Sequence, residues 1–330
     1  MLRYVVRRTW RTVVQLLLIS IVAFFIIELP PGDSVSIYFN SLRAAGYDPP
    51  EGYEEWFREY HGLDKPWPGR YVTWMRRIFT RFHFGYSLFW GKHAEEVILS
   101  KIPLTFALAL GSLLLTWAVG IPIGVFVAVR QYSAIDYAIT TLSYVGIAVP
   151  PFLLAMMVMY GARVALDLSV GGMYSPDVAV QPWGWVKFID LIAHLWLPVV
   201  LIATGGVAGT IRTLRATMLD ELHRPYVAVA RAKGLPERIV LLRYPLRLAI
   251  SPIISGFNQL LPWLFSGGFL IDMVFSLPTA SPTFYRACIS QDVYLAGSYV
   301  LIIGALTSLS TMLSDILLAA VDPRIRFGRA

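Results

Sequence analysis

A single cysteine, Cys288, occurs in 330 residues. No intrachain disulfide can form, and no cluster of thiolates can hold a metal; Cys288 itself reads as a small apolar residue in a loop or at a helix start. Charge is scarce as well, with 15% of residues charged against 56% hydrophobic. The sequence has no phosphate-cradling G-x-x-x-x-G-K-[ST] loop, no H-E-x-x-H, and no G-x-S-x-G in a soluble α/β setting. A nucleotide-hydrolysing machine complete in one chain is thereby excluded, together with zincin and nucleophile-elbow chemistry. No short-period repeat is present, and no linker separates independently folded soluble domains.

Long apolar runs take the place of these features. A chain of this size with a mean hydropathy of +0.60 is too apolar for a soluble domain. A helix crosses the hydrocarbon core with about 20 apolar residues, and six stretches qualify, near 10–30, 104–129, 137–162, 194–211, 250–276 and 296–321. The expected fold class is an all-α integral membrane protein with six transmembrane helices. The runs are continuous and do not alternate, which argues against a β-barrel. Residues 1–30 read as a retained anchor and not a cleaved signal, because the apolar run from Val13 to Leu29 is long for a signal core and no small-x-small site precedes Pro30.

Orientation follows from basic residues near the spans. Arg3, Arg7, Arg8 and Arg11 precede the first, Arg130 follows the second, a basic loop follows the fourth, and Arg324, Arg326 and Arg329 follow the sixth. Both termini are therefore expected in the cytoplasm of a multi-pass cell-membrane protein, with 31–103 extracellular or periplasmic. That segment balances nine Lys/Arg with nine Asp/Glu. The net charge of +7 is then a matter of membrane topology, and nucleic-acid binding has no part in it.

Residues 31–103 read as an external subdomain, followed by a five-helix core over 104–330. Trp56, Tyr60 and Leu63 fall on one face of a helix from Glu54 that closes at Gly62, and a second helix over Tyr71 to Phe82 has Val72, Met75 and Ile78 or Phe79 as its apolar stripe. The many aromatics, among them Trp56, Trp67, Trp74 and Trp90, suit packing and an interfacial belt, or a cap that meets a delivery protein or a passing ligand. His61, His83 and His93 match no standard ligand spacing and no cysteine assists them, so no metal site is expected.

Two features break the apolar spans. Pro150-Pro151 interrupts the helical hydrogen-bond ladder within the third and calls for a kink, either a packed bend or a shaped pathway element. In the fifth, Asn258 and Gln259, with Trp263 one turn on, place amides among apolar residues; they either line a pathway or join helices by hydrogen bonds.

The stretch from Arg224 to Pro252 is basic, punctuated by Ala and Gly, and lies between spans. Eight basic residues between Arg212 and Arg247 face three acidic ones, so a cytoplasmic coupling loop is placed at about 212–249. Pro225 opens a short helix, Ala228, Ala230 and Ala232 keep its surface thin, and Gly234 supplies the left-handed residue that ends it. Pro236 starts the next helix, whose first turn holds Glu237 near the positive end of the dipole.

Through Tyr226, Val227, Ala230, Arg231, Ala232, Lys233, Gly234 and Leu235, this segment resembles the cytoplasmic loop motif of permease subunits of binding-protein-dependent, ATP-driven importers. The form is that of dipeptide, oligopeptide and nickel permeases. Relative to the general importer pattern, Ala228 stands at the usual acidic position and Val229 at the first Ala position, and the downstream Ile-x-Leu-Pro is missing. LPPGDSVSIYFN after the first span, and the end of the chain from IDMVFSLPTA through LLAAVDPRIRFG, resemble the same branch. The resemblance thus runs in order along nearly the whole length.

What the resemblance implies is a type I ABC importer permease, the first of a pair, forming half of a translocation pathway. Its implied partners are a second homologous permease, two cytoplasmic ATPase subunits that bind ATP and Mg, and an external solute-binding protein; this chain would hold no cofactor. The helix around Tyr226–Lys233 would sit in a groove on an ATPase. The implied cargo is di- or oligopeptides, with oligosaccharides, nickel or opines as alternatives among relatives. A rival of another class is a stand-alone channel or receptor, for which the basic loop is only a cytoplasmic patch. An intramembrane enzyme would need paired catalytic groups within spans, and none is evident.

Overall fold

A computed structural model describes residues 2–28, 34–44, 46–61, 65–166, 171–256 and 268–321. Among them the secondary structure is helical apart from one two-stranded ladder. The helices up to the first long core helix are α1 Leu2–Glu28, α2 Ser34–Ala44, α3 Tyr53–His61, α4 Trp67–Arg81 and α5 Ala94–Val129. Between α4 and α5, strand β1 Tyr86–Ser87 pairs antiparallel with β2 Lys92–His93. Then come α6 Ala134–Ala148, α7 Pro151–Leu166, α8 Pro176–Ala179, α9 Trp185–Leu222, α10 Pro225–Ala232, α11 Glu237–Arg243, α12 Pro245–Ala249 and α13 Ser251–Gly256. Phe269–Val274 forms α14, Ala280–Ile289 α15 and Val293–Val321 α16.

Among the described residues, four helices are long and apolar enough to cross a bilayer: Val6–Glu28, Ala94–Val129, Trp185–Leu222 and Val293–Leu318. Their outward faces carry large apolar side chains, such as Leu18, Val22 and Phe25 on α1 and Phe106 and Leu114 on α5, as hydrocarbon requires. The pair α6 and α7 passes the same test together but bends by 93° at Pro150-Pro151, giving up to five spans. The expected kink is therefore a full break. The expected span near 250–276 falls on α13, α14 and residues 257–267, which lie outside the described residues, as do Asn258, Gln259 and Trp263.

Two helices outrun the hydropathy boundaries. α5 starts at Ala94, ahead of the expected 104, with Glu95 and Glu96 in its first turn where the dipole favours carboxylates. α9 runs from Trp185 through Leu222, not 194–211, so Arg212 and Arg215 are helix residues and not part of a loop. Polar residues end the apolar stripe but not the backbone hydrogen bonding.

The chain divides into two compact units, Met1–Arg8 with Leu104–Pro278 and Leu309–Ala330, and Thr9–Pro103 with Thr279–Ser308. In the first, Leu108, Ala155, Leu195, Ile202, Ile271 and Phe275 form a core joining α5, α7, α9 and α14. α5 and α9 approach closely through glycine: a Cβ at Gly120 would lie 2.9 Å from Thr210, and one at Gly206 2.8 Å from Thr116. Arg215 on α9 forks onto Asp136 on α6, both bonds 2.7 Å. The same carboxylate accepts from Tyr132 N and Thr140 Oγ1, so a fully buried Asp is well compensated.

In the second unit, Ala23, Phe24 and Ile27 of α1 pack with Trp74 of α4 and Val293. The buried face of α4 is Tyr71, Trp74, Met75 and Ile78, while Val72 and Phe79 are exposed, so the expected stripe is rotated. The reason is aromatic packing on α1, where the rings of Tyr71 and Trp74 meet Phe24. Asp292 caps α16: its carboxylate accepts from Leu295 N and Phe89 N at 3.3 Å each and from the Ser87 hydroxyl. Burial pushes its pKa up.

Candidate functional site

Two places in the first unit are candidates, and Pro151 at the first and the 225–236 stretch at the second are the parts that the sequence singled out. The first is a cavity of about 530 Å³ between α5, α6, α7, α9 and α13. Its lining includes the hydroxyl residues Ser112 and Thr116 on α5 and Thr210 and Thr213 on α9, with Trp117 beside them. Gly205, Gly206 and Gly209 open one wall, and a Cβ at Gly205 or Gly209 would meet nothing within 4 Å. Pro151 lines it and Pro150, exposed at the break, is not among the lining residues. The first turn of α7 is restored by Leu153 N and Leu154 N donating to Pro150 O at 3.0 and 3.2 Å.

No ionisable side chain lines this cavity among the described residues. Its volume falls within the range of small-molecule sites. A neutral wall with glycine backbone and hydroxyls can offer a solute weak, interchangeable hydrogen-bond partners. None of these hydroxyls or glycines stood out in the sequence, because Ser, Thr and Gly at helical spacing are common wherever helices pack in membranes.

The second place is the elbow α9–α10–α11–α12. Pro225 at the first position of α10 needs no N–H partner. Gly234 closes the turn with φ +72° and donates to Arg231 O at 2.9 Å. Arg231 reaches across the turn and forks onto Glu237, Nη2 to Oε1 at 2.7 Å and Nε to Oε2 at 3.1 Å. The guanidinium holds the Glu237 carboxyl below its ordinary pKa. Tyr226 donates its hydroxyl to the Glu221 carboxylate at the end of α9, and Thr217 Oγ1 donates to Ala249 O at 2.9 Å. The elbow is thus tied to α9 at both ends.

The side chains of α10 separate by face. Val227 and Ala230 are buried against Val240 of α11, with Tyr226, Leu235 and Tyr244 packed around them. Ala228, Val229, Arg231, Ala232, Lys233 and Gly234 are exposed. Ala230, expected to thin the outer surface, instead lets α11 approach α10. The outward apolar surface is Ala228, Val229 and Ala232, flanked by Arg231 and Lys233.

Outside these two places, His83 and His93, ten residues apart and expected to hold no metal, come together with Glu95 at the hairpin. The β1–β2 turn folds them side by side, which no spacing rule foresees. The side chain of His61 lies outside the described residues.

Comparison with known sequences adds a third line of observation. The profile of the family described as binding-protein-dependent transport system inner membrane component matches residues 120–327. The profile for the N-terminal part of such membrane components matches residues 1–109. The chain is 33% identical to the oligopeptide transport system permease protein of Bacillus subtilis (strain 168) over 329 residues, covering 99% of this chain and 100% of that one. It is 30% identical to a putative peptide permease protein of Brucella suis biovar 1, covering 99% of each. With the oligopeptide transport system permease protein of Escherichia coli K12 it shares 27% identity, over 99% of this chain and 100% of the other.

Proposed function

Because the chain belongs to the family of binding-protein-dependent transport system inner membrane components, we propose that it is a permease subunit of an ATP-driven peptide importer. In this reading it forms half of the pathway for di- or oligopeptides delivered by an external solute-binding protein. The observation that carries it is the full-length similarity to relatives named as peptide and oligopeptide permeases.

The rest of the assembly follows as part of the same proposal. A second, related permease supplies the other half of the pathway, and two ATPase subunits bind ATP and Mg. The α10 elbow seats its exposed face of Ala228, Val229 and Ala232 on an ATPase. In the same proposal the chain has six spans, both termini are cytoplasmic and 31–103 is outside, and Asn258, Gln259 and Trp263 are candidates for the translocation pathway.

The mechanical requirement is stiffness between groove and cavity. α9 provides it, since one helix carries both Gly205, Gly209 and Thr213 at the cavity and Glu221 at the elbow. Movement of an ATPase groove against α10 is passed to α9 through Tyr226–Glu221 and through the α12 contact at Thr217, and so to the cavity wall. A neutral cavity leaves selection to the binding protein.

The test is reconstitution of the chain with its partner subunits in liposomes. ATP-dependent uptake of a peptide, lost when the binding protein is withheld, is the expected result. Peptide flux that continues without the ATPases would sink the importer reading and leave a channel.

A further inference from the structure

We propose that His83, His93 and Glu95 form a binding site for a divalent transition-metal ion of the zinc class, independent of the transport pathway. Each residue offers one ligand atom, and these three atoms lie within 4.8 Å of one another. Zinc bonded at about 2.1 Å to nitrogen and oxygen holds its donors roughly 3.4 Å apart, so an ångström or so of side-chain closure brings all three onto one ion.

The scaffold for that closure is fixed. Phe82, in the left-handed region at φ 53°, ends α4 and turns the chain so that His83 faces the start of α5. Phe84 O then accepts from Trp74 Nε1 at 2.7 Å and from Ser298 Oγ at 3.3 Å, which pins the residue after His83. Glu95 is oriented by its second oxygen: Phe84 N donates to Oε2 at 3.0 Å, leaving Oε1 on the imidazole, 2.9 Å from His83 Nδ1. A backbone donor holding the far oxygen of a carboxylate is the outer hydrogen bond that metal-ligand carboxylates use.

His93 comes from β2, where it pairs with Tyr86 and its ring stands edge-on to His83 at 4.7 Å between centroids. Lys92 pairs with Ser87 and so falls on the other face of the ladder, which keeps an ammonium off the site. The His83–Glu95 hydrogen bond alone does not call for His93. Two imidazoles in contact beside one carboxylate gain most from a shared cation that uses their lone pairs, and two His with one carboxylate is a donor set that zinc takes in three-ligand sites with a fourth position open. Bound metal would clip the end of α4, the hairpin and the start of α5 together.

The experiment uses the purified full-length chain in its complex, stripped with a chelator and dialysed against Zn²⁺, with Co²⁺ as a spectroscopic probe. Wild type should retain one ion per chain and show visible Co²⁺ bands. His93 is exposed, so His93→Ala should fold as wild type by thermal unfolding yet bind at least tenfold more weakly. Glu95→Gln keeps an acceptor for Phe84 N–H and should weaken binding by a similar factor. Zn²⁺ should raise the melting temperature of wild type and not of either variant. Equal Zn²⁺ retention by wild type and His93→Ala, or Co²⁺ bands indifferent to both substitutions, overturns the site.

Discussion

Substituting Trp at three alanines of α10 separates docking from folding. Val227, Ala230 and Val240 are 0%, 2% and 0% exposed, so a Trp at 230 has no room. It forces α10 and α11 apart, which costs about 1–3 kcal/mol by overpacking, added to about 0.5 kcal/mol of lost helix propensity. At Ala228 and Ala232, exposed on the other side, only the propensity loss of about 0.5 kcal/mol applies. Ala230→Trp should therefore lower the melting temperature of the purified chain, and any transport defect it causes has a folding explanation. Ala228→Trp and Ala232→Trp should melt within a degree or two of wild type. In liposomes containing the ATPase and binding proteins they should lose ATP-coupled peptide uptake at least tenfold, by holding the groove off the helix. Gly234→Val gives a fourth reading. Nothing lies within 4 Å of a Cβ there, but φ is +72°, so its cost of about 1–2 kcal/mol comes from the backbone alone. If Ala228→Trp and Ala232→Trp both retain their ATPases with wild-type coupled uptake, the docking face is misassigned.

Three further outcomes are expected. Gly209→Phe enters open space at the cavity wall and gains about 0.5 kcal/mol of helix propensity, so it should block uptake without lowering the melting temperature; normal peptide flux through it would remove this cavity from the pathway. Asp136→Asn breaks the fork with Arg215 and should destabilise by about 3 kcal/mol, the low end for a buried pair because Arg215 is partly exposed; a loss under about 1 kcal/mol in denaturant unfolding would show the pair to be dispensable. Glu51→Cys in a Cys288→Ala background should react with an impermeant maleimide added outside intact cells, and labelling confined to inverted vesicles would reverse the proposed topology.

How far the sequence reached depended on whether a feature is local. Bilayer crossing demands one uninterrupted apolar stretch, so α1, α5, α9 and α16 were legible, though hydropathy marks where lipid ends and not where a helix ends. That difference turned Arg212 and Arg215 from loop charges into helix residues. The partner of Arg215 is Asp136, 79 positions away, and no local pattern joins them. His83, His93 and Glu95 are brought together by a turn whose strands are two residues each, too short to be seen as strands in advance.

The elbow shows the boundary most sharply. Pro225, Gly234 and Pro236 are local signals, and α10 begins and ends, and α11 begins, where these residues require. Which alanine faces outward is not local, because it depends on α11 folding back to lay Val240 against α10. A clue was nonetheless present: Val227 and Ala230 are three apart, Ala228 and Ala232 four apart, so the two pairs occupy different faces of one helix. Each face carries one β-branched residue, Val227 on one and Val229 on the other, so the choice between them is made by where Val240 comes to lie. The motif's alanines therefore perform two tasks. Ala230 lets the elbow fold tightly, and Ala228 and Ala232 leave its outer side flat, so a single large side chain has opposite meanings at positions two residues apart.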